Sequence, residues 1–189
     1  MDMLEVVDFR ATDYGKEVAR ILELDGAGTA AGRRPMQLAG SACTSTEAQE
    51  LLDTMKARQL FPNAPSPEGG LCGLYLYYSC LDQGHSIAQE LGSVEGSFWH
   101  GIMHRREPDA GNAAYWFRRV GRHPIFPALR DEAHRLRFDT GREWDPFEFI
   151  EFCEGARERP GSEEERIAMQ VQLVEWQLLF DYCARENAR

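Results

Sequence analysis

From Ser162 to Arg185 the chain runs without a single glycine or proline, and its apolar residues recur as two stripes. One is Ile167, Val171, Val174 and Leu178; the other is Met169, Leu173, Trp176 and Phe180. Both follow the three- and four-residue steps of an α-helix, and Ser162-x-x-Glu165 supplies a capping box at its start. A helix apolar over so wide an arc cannot rest on a solvated surface. It is predicted to be central to the core, or to a homodimer interface, so the rest of the chain must pack around it.

The remaining segments are short, helical in period and separated by proline, glycine and capping signals. Val18, Ile21 and Leu22 predict a helix from Asp13 to about Leu24, and Thr44-x-x-Glu47 reads as a capping box for a helix reaching Leu60. From about Pro67 to Leu91, Leu71, Leu74, Tyr78, Leu81, His85 and Ala88 share one stripe. Further helices are predicted over 97–106, 109–120 with Asp109 as cap and Gly121 as stop, 124–136, and from Asp145-Pro146 to Ala156. Residues 3–9 suit a strand or a helix lead-in equally. With no hairpin signal and no repeat, the fold class is all-α: one domain over 1–189, about seven helices, with loops at 25–45 and 61–70.

A formal charge of −10 over 189 residues argues against nucleic acid or an anionic membrane as partner. The window 98–137 runs the other way, with eight arginines against Glu107, Asp109, Asp131 and Glu132. That asymmetry suits a small anionic molecule. The five cysteines form no Cys-x-x-Cys pair and read as free thiols of a reducing cytosol rather than a disulfide or zinc framework. The acidic start, Met-Asp-Met-Leu-Glu, does not resemble a signal peptide, and the longest apolar run, Leu71–Leu81, is too short to span a bilayer; a cytoplasmic protein is expected. Asp25–Gly32 is glycine-rich but lacks the Gly-x-Gly-x-x-Gly spacing and follows a helix, so it reads as a mobile loop rather than a dinucleotide site.

The chemistry concentrates between Gly96 and Pro124. His100 and His104 are four residues apart, which places both on one helix face, and His85 continues the inward stripe of its own helix. These three are the candidate catalytic residues, as acid/base groups or as ligands of a divalent metal, with Glu107 as a further oxygen ligand. The pattern is not His-Glu-x-x-His, because Gly101 occupies the glutamate position, so peptidase chemistry of that type lacks its base. Gly101 is a poor helix former and suggests close approach by another backbone. Arg105, Arg106, Arg118 and Arg119 supply forked donors for an anion, with Asn112, Tyr115 and His123 as further ligand-binding candidates. Trp116 and Phe117 are expected to pack inward.

The run WHGIMHRREPDAGNAAYWFRRVG, with His85 before it and His123-Pro124 after it, resembles a family of bacterial and fungal proteins that has no established activity. The similarity extends from the early helices to about Leu136; it implies a self-contained domain and assigns no catalytic residue. Three functions remain open on the sequence: an enzyme acting on a small anionic metabolite, a non-catalytic ligand-binding or sensor domain, and a structural or interaction protein whose His/Arg segment is a packed polar core.

Overall fold

The computed structural model describes residues 7–40 and 42–186, without the side chain of Thr29. Among them lie ten α-helices, two short 3-10 turns and no strand. The helices are α1 (Lys16–Glu23), α2 (Thr46–Asp53), α3 (Ala57–Leu60), α4 (Pro67–Tyr77), α5 (Leu81–Glu90), α6 (Val94–Arg106), α7 (Ala110–Val120), α8 (Phe126–Arg135), α9 (Pro146–Arg157) and α10 (Glu163–Ala184). The all-α expectation holds. Residues 3–6 of the first apolar stretch lie outside the description, and Val7–Phe9 form no regular element.

The extra helices come from two breaks. The segment expected as one helix from Pro67 to Leu91 turns sharply at Ser79, whose φ of 59° ends α4 before α5 begins. The segment from Thr44 to Leu60 divides into α2 and α3. Its cap is Ser45 rather than Thr44: Ser45 Oγ accepts from Ala48 N at 3.1 Å, while Thr44 Oγ1 donates to Tyr78 O. Elsewhere the signals act where they stand, with Asp109, Asp145 and Ser162 each capping the helix it precedes.

Helix α10 is the shared wall of two apolar clusters. Trp176, Leu179 and Phe180 belong to the larger, with Phe9, Leu74, Trp99 and Phe117. Ile167, Ala168, Val171 and Val174 belong to the smaller, with Leu129, Trp144, Phe149 and Cys153. Its wide apolar arc is therefore consumed inside this chain, and no longer argues for a homodimer.

The 25–45 loop, whose first part, Asp25–Gly32, was expected to be mobile, is fastened to α4. Asp25 accepts from Ala27 N, Gly32 N and the hydroxyl of Tyr77, and Met36 and Leu38 are buried. Thr44 N donates to Tyr78 O at 2.7 Å, which brings Cys43 to Cys80, and these two form a disulfide. This corrects the expectation of five free thiols; Cys72, Cys153 and Cys183 are the free ones, all buried. Nothing in the cysteine spacing signals the pair, because a contact between the loop and the α4–α5 turn, across 37 residues, makes it.

Candidate functional site

Three histidines meet between α5 and α6. The His85 ring lies edge-on to His100 at 5.0 Å between centroids and to His104 at 5.9 Å. His100 and His104 stack at 6.1 Å on successive turns of α6, as their spacing requires. Trp116 of α7 closes one side, parallel to His100 at 3.9 Å. Trp116 was expected in the core; it is half-buried and serves as a platform for an imidazole.

The closeness of α6 and α7 depends on Gly101. A Cβ there would lie 2.7 Å from the Phe117 ring, so the partner across from Gly101 is a phenyl ring rather than the backbone anticipated. With Phe117 in that gap, its neighbour Trp116 falls over His100.

The electronic state of His100 follows from two contacts. Nδ1 lies 3.1 Å from Gly96 O, and a carbonyl only accepts, so Nδ1 carries the proton. Burial then pushes the pKa from its ordinary value down to about 4, against the stabilising Gly96 bond, with His85 and His104 adding repulsion. The ring is neutral at pH 7 and presents a lone pair at Nε2. Beside it, Glu107 Oε2 lies 3.0 Å from His104 Nδ1, at ion-pair distance though off the line of a hydrogen bond. Glu107 thus stands behind His104 rather than joining the histidines as a further ligand. Among the described residues no set of three or more His, Cys, Asp or Glu side chains is arranged to hold a metal ion.

The other candidates separate into three places. Arg105 and Arg106 are buried, which corrects their reading as donors on an open ligand face. Arg105 pairs with Glu175 and donates to Gln172 Oε1, both on α10, with its guanidinium 4.5 Å from the Phe149 ring centroid. Burial is the largest single influence and opposes that charge, but the Glu175 carboxylate, together with Cys153, raises the arginine's pKa on balance. Asn112 is exposed and turned back to Asp109, its own helix cap. Tyr115 and Arg119 are exposed on the Trp116 side, with the Arg119 guanidinium 5.4 Å from that indole.

His123 is not part of the trio. It packs on Phe98, Phe126 and Tyr182, with Nε2 3.9 Å from Glu95. With Arg118 it lines a separate groove of about 840 Å³ bordered by Arg122, Trp144 and Phe147.

No family model, curated protein or solved structure matches the chain. Fold and site therefore define its class as an all-α protein with a histidine trio held between consecutive helices. Among the described residues no helix is long and apolar enough to cross a membrane.

Proposed function

We propose that the chain is an enzyme that moves a proton on a small anionic molecule at the His85–His100–His104 trio. His100 is the base: its Nε2 lone pair is available at neutral pH because Nδ1 is committed to Gly96 O and burial keeps the ring uncharged. His104, backed by Glu107, is the partner that returns the proton, and His85 forms the third wall. Arg119, over the Trp116 indole, offers a guanidinium to the substrate's charge at the edge of the site. The observation that carries this reading is the fixed tautomer of His100 within the convergence of the three rings.

The test is hydrogen exchange. A panel of small carboxylates and sugar phosphates in D2O, followed by proton NMR, should reveal one whose C–H signal is lost with wild-type protein. His100→Asn can keep the bond to Gly96 O but has no Nε2, so it should stop the exchange in a folded protein. Exchange that persists unchanged in that variant would refute the assignment.

A second reading, histidines as ligands of a divalent metal, is favoured by one feature: His100 Nδ1 is committed to Gly96 O, the usual backing of a metal-bound imidazole, which leaves Nε2 free to bind. Elemental analysis of protein purified without a histidine tag separates the two. Stoichiometric metal that disappears in His100→Ala would make the trio ligands instead of proton carriers.

A further inference from the structure

The end of the 25–45 loop bridges the two helices that carry the histidines. Gly40 N donates to the carbonyl of Arg106, the last residue of α6, at 2.6 Å. Thr44 N and Oγ1 both donate to Tyr78 O, just ahead of α5, at 2.7 and 3.0 Å. Gly40 has no room for a side chain, because a Cβ there would collide with Leu81, the first residue of α5. The loop is thus wedged where α5 begins and α6 ends. The Cys43–Cys80 disulfide makes its attachment to the α5 side covalent.

The two sulfurs differ in access. Cys43 is half-buried between exposed Ala42 and Thr44, whereas Cys80 is buried. A thiolate arriving from solvent therefore attacks Cys43, and Cys80 leaves. Cys80 is the N-cap of α5, whose first N–H groups no side chain caps, and these favour the departing thiolate. The other cysteines do not compete. Cys72, Cys153 and Cys183 are buried, and burial pushes each thiol up, to about 12 for Cys153 and Cys183. The middle of the loop does not rely on the bond either: Gln172 Nε2 donates to Met36 O and Gln37 O, and Met36 and Leu38 are buried. Opening the disulfide releases the end of the loop and leaves the fold standing.

We propose that Cys43–Cys80 is a reversible redox switch. Oxidised, it clamps the end of the loop across α5 and α6; reduced by a dithiol, it lets that end detach and loosens α5, with His85 on its second turn, from α6. One thiolate of the dithiol bonds to Cys43 Sγ as the Cys43–Cys80 bond breaks, and Cys80 takes the electron pair. The second thiolate then attacks the reagent's own sulfur and releases Cys43. Two protons from the dithiol end on the two cysteines, and the reagent leaves as a disulfide. The switch does not depend on the histidine trio having any activity.

The test uses the full chain equilibrated with oxidised glutathione, then treated with dithiothreitol without denaturant. Alkylation in denaturant followed by mass spectrometry should count three thiols before treatment and all five cysteines after it. Amide exchange followed by NMR should show protection at Gly40 N and Thr44 N falling about tenfold, while amides of α10 keep theirs. The Hε1 resonance of His85 should shift, and the melting temperature should fall by about 5–10 °C. Oxidised glutathione should restore the starting state. Cys43→Ser should match the reduced protein in these readouts and no longer respond to dithiothreitol. Five thiols before treatment, or three after it, would overturn the proposal. So would unchanged protection at Gly40 and Thr44 once five thiols are counted.

Discussion

The imidazole of His100 and the indole of Trp116 lie face to face, 3.9 Å apart and within 10° of parallel. This pairing keeps water from one face of a histidine whose other ring neighbours are also histidines. In the fold His100 accepts a proton only near pH 4, whereas in the unfolded chain it does so near 6.5. Above 6.5 neither state is protonated and stability is complete. As pH falls below 6.5 the unfolded state binds a proton that the fold refuses, so stability declines until about pH 4. The loss is about 2 kcal/mol at pH 5 and about 3 kcal/mol at its limit. Urea unfolding at pH 7.5 and pH 5 should therefore show the gap between wild type and His100→Asn shifting in favour of the variant on acidification. A gap independent of pH would contradict the burial account.

Removing the indole tests the same pairing from the other side. Trp116→Ala admits water to His100, and because burial is the main cause of its lowered pKa, the value should rise toward the ordinary range. The Hε1 resonance of His100 followed by NMR reports this directly. A midpoint that stays near 4 in the variant would mean that the other histidines, not the indole, set it.

Arg105 and Glu175 form an ion pair with no exposed side-chain surface on either partner. Glu175→Gln leaves an interior guanidinium without its counter-charge and should cost about 3–5 kcal/mol in chemical denaturation. Replacing both, as Arg105→Met with Glu175→Leu, should recover most of that loss, since the pair's own desolvation disappears with it. A double variant no better than the single would show that Gln172 and Phe149 depend on the charge.

Gly101→Ala brings a methyl group to within 2.7 Å of the Phe117 ring, itself almost wholly buried. Overpacking of this kind costs about 1–3 kcal/mol, which the gain of about 1 kcal/mol in helix propensity offsets only in part. A lower melting temperature is expected, with recovery in the presence of Phe117→Leu. A more stable Gly101→Ala variant would mean that α6 and α7 can separate at little cost.

Much of the fold was legible because local rules decide it. The Asp109, Asp145 and Ser162 caps and the two stripes of α10 behave as their spacing predicts. The histidine trio was legible for the same reason, a four-residue step on one helix and an inward stripe on another. The rest was hidden because distant partners decide it. Arg105 looks like a ligand donor until Glu175 is found 70 residues later, and Ser79 gives no sign that it breaks a helix. Trp116 shares its aromatic character with Phe117; only the turn of α7 sends one over His100 and the other against Gly101.

Helix α10 follows every other described helix in the chain, yet both apolar clusters close against it. During synthesis, α1 to α9 leave the ribosome with the surfaces meant for Trp176, Phe180, Val171 and Val174 still uncovered. Neither half can finish its interior first, so the polypeptide should remain protease-sensitive and chaperone-dependent until residues 163–184 emerge, then become resistant in one step.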